Sequence, residues 1–163
     1  MTIIDSTAAA RDQLNRTLTF FPRVDGKASV LLAVNTSMMA VLATRAFPYT
    51  QLRWELLPIG LAIVGLIASL WNLYRQGFPH LDGGQNSRLY FREIAGRTEA
   101  GYIADWQKMT DEDYLQDLLG QVWRNSQILK IKFGHLRNAF VALAFALVPW
   151  VVALALLSQG QTT

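Results

Sequence analysis

Three stretches of this chain run without a charged residue or a histidine for long enough to approach the width of a lipid bilayer. They are Ala28–Thr44, Leu56–Tyr74 and Ala139–Gly160, of 17, 19 and 22 residues. A helix rises about 1.5 Å per residue, so roughly 20 residues traverse the hydrocarbon layer of about 30 Å. The second and third stretches meet that length. The first meets it when its flanking side chains snorkel to the headgroups or the bilayer thins locally. Three spans in 163 residues leave 75–138 as the one sizeable extramembrane block, 64 positions long. A block that small is marginal as an independent fold, so it is expected to be helical and continuous with the spans, or supported by self-association. The fold class this predicts is an all-α membrane protein, with three transmembrane helices and a helical cytoplasmic segment between the second and third.

The distribution of charge predicts an orientation. Of fifteen Lys and Arg residues, four precede the first span (Arg11, Arg16, Arg23, Lys27) and two lie between the first and second (Arg45, Arg53). Nine fall in the central block and none follows the third span. Basic flanks mark the cytoplasmic side, so the N-terminus and the central block are expected inside, the short loop and the C-terminus outside. The expected organisation is a cytoplasmic amphipathic segment over 1–26, a two-helix transmembrane hairpin over 27–74, a cytoplasmic helical segment over 75–137, a third transmembrane helix over 138–158 and an external tail over 159–163. The net charge of +3 and pI near 9.4 follow from these flanks and do not argue for nucleic acid. No cysteine is present, which removes disulfide and thiol chemistry. A cleaved signal peptide is not expected, because the first apolar run begins near residue 28, behind Asp5, Asp12 and Asp25.

Local signals divide the rest. Ser6 is placed to cap a helix running to Phe21, with Leu14, Leu18 and Phe21 on one stripe, interrupted at Pro22. Such a helix suits either the membrane surface or plain solvent. Ser29, Asn35, Thr36 and Ser37 make the first span polar, and they are expected to face other helices, either as interhelical bonds or lining a water-filled path. Phe47-Pro48-Tyr49 reads as an external turn, and Trp54, Trp71 and Tyr74 sit at belt positions around the second span. Gly65 with Ser69, and Ala142 with Ala146, are small-residue pairs that permit close helix approach. Gly77-Phe78-Pro79 and Asp82-Gly83-Gly84 signal a break, after which Asn86 or Ser87 is expected to start a helix through Leu89, Phe91 and Ile94, weakened at Gly96 and Gly101. Thr110 followed by Asp111, Glu112 and Asp113 marks the start of a long helix reaching Leu157, with Gly134 and Pro149 as possible bends.

The sequence offers little catalytic chemistry. His80 and His135 lack ligand-spaced partners, so no metal site is expected. No phosphate-binding glycine loop, nucleophile elbow or zinc-protease signature occurs, and the reading is non-enzymatic, with no cofactor. What the central block does carry is a set of arginines (Arg88, Arg92, Arg97, Arg124) interleaved with rings (Tyr90, Tyr102, Trp106, Trp123). Guanidinium groups pair with phosphate and flat rings stack on bases, which suits a small nucleotide ligand; a packed helical segment with solvated arginines accounts for the same composition.

Asp25-Gly26-Lys27-Ala28 leading into Leu31, Leu32 and Asn35, then Tyr90-Phe91-Arg92-Glu93-Ile94 and Gln121-Val122-Trp123-Arg124-Asn125-Ser126, and finally Lys132-Phe133 with Leu136-Arg137-Asn138-Ala139, follow one another around the spans. In that order they resemble the transmembrane effectors of Pycsar, the bacterial pyrimidine cyclase antiphage system, over roughly residues 20–155. The resemblance implies an effector of the bacterial inner membrane. A partner cyclase would make cyclic CMP or cyclic UMP on infection, and the effector would detect it, impair the membrane and stop the growth of infected cells. It carries over Asp25, Lys27, Asn35, Phe91, Glu93 and Lys132 as motif positions without assigned roles. Self-association into a homo-oligomer is expected, since three helices alone enclose no useful pore. An ion pair between Asp25 or Lys27 and the Lys130–Arg137 region would latch the first and third spans; alternatively Lys27 only snorkels. The other functional reading is a passive membrane anchor that recruits a soluble partner through the central block.

Overall fold

A threonine three residues ahead of an aspartate opens both the first helix and the last. In the computed structural model, which describes residues 2–46, 56–78, 84 and 86–159, Thr2 and Asp5 close a reciprocal capping box at the start of α1 (Ile3–Leu18). Ser6 lies inside that first turn, its hydroxyl donating back to the Thr2 carbonyl, so Thr2 takes the capping role expected of Ser6. The buried face of α1 is Ala10 and Thr17, while Leu18 of the expected stripe is exposed. Thr19 alone separates α1 from α2 (Phe20–Ala46), so the break precedes Pro22 instead of following from it. Pro22 is the third residue of α2, in the turn whose N–H groups have no helical partner, and its ring is harmless there.

α3 spans Leu56–Gly77, and short helices α4 (Phe91–Ala95) and α5 (Glu99–Gln107) follow. The helix expected from Asn86 or Ser87 is reduced to α4, which begins only after Tyr90; the Ser87 hydroxyl accepts the Leu89 and Tyr90 N–H groups as a cap would, but residues 87–90 form a turn. Gly84 at φ 80° and Asn86 at φ 62° give the preceding turn its left-handed backbone. α6 then runs unbroken from Asp111 to Gln159, 49 residues, through both Gly134 and Pro149. Its cap is Thr110, whose hydroxyl accepts the Asp113 N–H at 3.2 Å while Asp113 accepts the Thr110 N–H at 3.3 Å. The turn at Phe47-Pro48-Tyr49, Trp54, His80 and the Pro79 and Asp82-Gly83 part of the expected break lie outside the described residues.

The chain divides into two compact units, Met1–Arg23 with His80–Lys130, and Val24–Pro79 with Ile131–Thr163. The second is a three-helix bundle with one narrow seam. Ile59, Ala62, Leu66, Ser69, Leu73 and Gln76 are buried on α3, and Lys132, Leu136, Ala139, Ala146, Ala153 and Leu157 on α6. α2 contributes Val24, Ala28, Asn35, Met38 and Leu42. Steps of three and four along α3, and of three, four and seven along α2 and α6, give the 3.5-residue period of a left-handed coiled coil. Outward residues are apolar as well: Val30, Val34 and Val41 on α2, Leu57, Leu61 and Val64 on α3, Phe145, Val148 and Val152 on α6. Helices apolar all round belong in lipid, and these three are long and apolar enough to cross a membrane. Among the described residues there is no strand, and the segment between the second and third of these helices is helical.

The seam is tightest where Gly65 of α3 meets Ala146 of α6. A Cβ added to Gly65 would stand 2.8 Å from the Ala146 Cβ and 3.2 Å from its Cα, closer than carbon atoms pack. Gly65→Ala is therefore expected to force α3 and α6 apart and destabilise the bundle by about 1–3 kcal/mol. Thermal unfolding in detergent, followed by circular dichroism, should show a lowered Tm, with most of the loss restored in Gly65→Ala/Ala146→Gly.

Candidate functional site

One end of the seam is polar and draws one residue from each spanning helix. Asp25 is in the second turn of α2, Gln76 near the end of α3, and Lys132 at the point where α6 enters the bundle. The Lys132 Nζ lies 2.5 Å from Asp25 Oδ1, and the Gln76 Nε2 donates to the same oxygen at 2.8 Å. The lysine side chain is only 8% exposed and the carboxylate 49%, so the pair straddles the bundle surface. Charge-assisted bonds of this kind are about twice as strong as neutral ones, and here they converge on one atom. The arrangement matches the latch expected between Asp25 and the Lys130–Arg137 region, with Lys132 as the partner. Gln76 was not anticipated. The signal was present, since Gln76 continues the buried steps Ile59, Ala62, Leu66, Ser69 and Leu73 in register.

Deeper in the seam, Asn35 is fully buried and donates from Nδ2 to the Leu66 carbonyl of α3 at 3.2 Å. Trp150 of α6 donates from Nε1 to the Met38 carbonyl of α2 at 3.0 Å. Ser29, Thr36 and Ser37 do not join them, contrary to the expectation that all the polar residues of this span face other helices. They are exposed, and the Ser29 and Thr36 hydroxyls donate to carbonyls of their own helix, Asp25 and Leu32, which satisfies them without a neighbour.

In the other unit, a turn is pinned to the first part of α6. The Ser87 hydroxyl donates to Asp117 Oδ1 at 2.7 Å and accepts from Gln121 Nε2 at 3.0 Å and from the N–H groups of Leu89 and Tyr90. The second Asp117 oxygen accepts the Arg88 N–H at 2.7 Å. Beside this knot lies a groove of about 460 Å³, lined among others by Asn86, Arg88, Gln116, Trp123 and Arg124. Of the expected ligand residues, the structure thus brings together Arg88, Trp123 and Arg124. Asp113 stands 3.9 Å from the Arg88 guanidinium, and the Arg124 guanidinium lies over the Trp123 ring, 5.8 Å from its centre.

Arg92, Arg97 and Trp106 do not line the groove. Arg97 forms an ion pair with Asp105 at 3.0 Å and reaches the Ser87 carbonyl, tying α5 back to the turn. Trp106 packs against Tyr102 and Tyr114, the latter also covered by Arg11. Arg92 is exposed on α4. Of the motif positions, Glu93 accepts the Asn86 N–H at 3.1 Å and holds that left-handed residue, while Phe91 is exposed edge-on to Tyr90. Lys27 is exposed at the rim of a second, apolar groove in the bundle.

A family model described as the Pycsar effector protein domain matches residues 9–159. The chain belongs to this family. As a Pycsar effector it is a component of antiphage defence, and its family is that of the effector and not of the cyclase. The three apolar helices make it a membrane protein. No curated protein and no solved structure matches this Pycsar effector.

Two outcomes test the geometry. Asp25→Ala takes a carboxylate from a nearly buried ammonium, whereas Lys132→Met leaves a half-exposed carboxylate that Gln76 still binds. The first is expected to cost about 2–3 kcal/mol and the second about 1 kcal/mol, measurable by thermal unfolding in detergent. Asp117→Ala removes the acceptor of both Ser87 and Arg88. Hydrogen exchange across the Ser87–Tyr90 turn should then accelerate by about tenfold or more, with α2 and α3 unaffected.

Proposed function

We propose that this effector binds a cyclic pyrimidine mononucleotide, cyclic CMP or cyclic UMP made by a partner cyclase, and responds by impairing the bacterial inner membrane, so that infected cells stop growing or die. The observation that carries the reading is the groove beside Ser87. Its Arg88 and Arg124 guanidiniums suit a cyclic phosphate, the Trp123 ring offers a face to a pyrimidine, and the Asn86 and Gln116 amides suit its polar edge. The volume falls within the range of small-ligand pockets.

α6 carries the groove residues Asp117, Gln121 and Arg124 and also the clamp residue Lys132, so a ligand that changes the first part of α6 acts on the helix that closes the bundle. The ligand need only prefer the damaging state; a preference of about 100-fold is worth roughly 3 kcal/mol. The damaging state is an assembly of several copies, because one bundle with an apolar seam encloses no aqueous path. The basic flanks support an N-terminus and central segment in the cytoplasm and a C-terminus in the periplasm.

Titration calorimetry of the detergent-solubilised protein with cyclic CMP and cyclic UMP should give saturable binding of at least one, weakened about tenfold or more in Trp123→Ala and Arg124→Ala. In cells, a potential-sensitive dye should report depolarisation when the nucleotide is supplied, and none in the double variant. No binding of either nucleotide, or depolarisation indifferent to nucleotide, would overturn the reading. An intact potential together with capture of a soluble partner would replace it with the anchor.

A further inference from the structure

The apolar groove whose rim holds Lys27 lies within the bundle and is separate from the nucleotide groove. It measures about 550 Å³ and runs between α2 and α6, floored by Leu31, Phe133 and Phe140. Lys27 and Arg137 stand on its two walls. Gly26 lines it as well, and a Cβ there would meet nothing within 4 Å, so the space beside it is open to a larger side chain.

Its depth in the membrane follows from the sequence. Lys27 immediately precedes the uncharged run Ala28–Thr44, and Arg137 is the last charge before Ala139–Gly160. The contact between Asp25 and Lys132 brings those two helix entrances to the same end of the bundle. Both cations therefore sit at the boundary between headgroups and hydrocarbon, with Leu31 and Phe140 on the hydrocarbon side and Phe133 about one turn of α6 nearer the headgroups. Among the described residues neither forms an ion pair, whereas Lys132, five residues before Arg137, has Asp25. Phe133 and Phe140 remain exposed along the groove and continue into the lipid-facing surface of α6.

We propose that this groove is a binding site for one anionic glycerophospholipid, its phosphodiester held between Lys27 and Arg137 and an acyl chain laid along Val30, Leu31 and Phe140. Two cations above an oily trough are complementary to that molecule at both ends. A basic pocket between helices at the interface is where anionic headgroups are recognised. The site gives Lys27 a role beyond general attraction to the bilayer, and it does not depend on the nucleotide reading.

The test uses the full chain reconstituted in nanodiscs of equal phosphatidylglycerol and phosphatidylcholine, released into mild detergent and weighed by native mass spectrometry. The wild type should retain phosphatidylglycerol over phosphatidylcholine by about tenfold or more. Lys27→Ala/Arg137→Ala should lose that preference. Gly26→Phe, which fills the trough and keeps both cations, should lose the bound lipid as well. Arg75→Ala, which removes one charge at the same end of α3 away from the groove, should keep it. Equal retention by wild type and double variant would overturn the proposal, as would a loss in Arg75→Ala matching that of the double variant, since bulk surface charge would then suffice. Helicity by circular dichroism admits only folded variants to the comparison, and Gly26→Phe decides it if the double variant fails to fold.

Discussion

A lysine almost wholly withdrawn from water is held at the end of a seam built mostly of apolar side chains. Desolvating an ammonium group costs several kcal/mol even after relaxation, and the Asp25 carboxylate offsets that cost here. Because Gln76 shares the same oxygen, the one contact fixes all the spanning helices at that end: α2 supplies the acceptor, α3 and α6 the donors. The small-residue packing of Gly65 on Ala146 and the long bond from Asn35 to Leu66 are available only to helices already held in this alignment. In lipid, apolar seams have no hydrophobic drive to associate, so close packing and polar contacts take its place.

The spans were plain in the amino-acid order, since a run without charge is a one-dimensional signal. The start of α6 was equally plain: Thr110 and three acidic residues leave few alternatives for a helix N-terminus. Asp25 and the region containing Lys132 were legible as a latch because opposite charges flanked two spans at the same face. Other features depended on competition that periodicity cannot weigh. Pro22 looked like a stop, yet a proline in the first turn of a helix disrupts nothing, and the chain broke at Thr19. Ser87 looked like a cap, and its hydroxyl does accept the Leu89 and Tyr90 N–H groups, but it also bonds Asp117 and Gln121, some thirty residues away, and anchors a turn. Arginines gave no sign of which were already engaged; Arg97 is committed to Asp105, a pairing visible only once α5 folds back.

Membership of the Pycsar effector family and the three apolar helices fit together in physical terms. The bundle is closed along one narrow seam, with a charged clamp at one end. Its outer faces remain open to lipid or to further copies, and its last helix also forms part of the arginine- and tryptophan-lined groove.

Repetition every seven residues leaves a coiled seam with an ambiguity of its own. If one helix slid past its neighbours by a heptad, about 10 Å, small and branched side chains would again oppose small and branched side chains. The polar residues remove that freedom. A slide of α2 or α3 would take Asn35 from the Leu66 carbonyl, and an inward slide of α6 would carry Lys132 into hydrocarbon without Asp25 beside it. Two levels of polarity, ten positions apart along α2, thus act as index marks on an otherwise translationally repetitive interface.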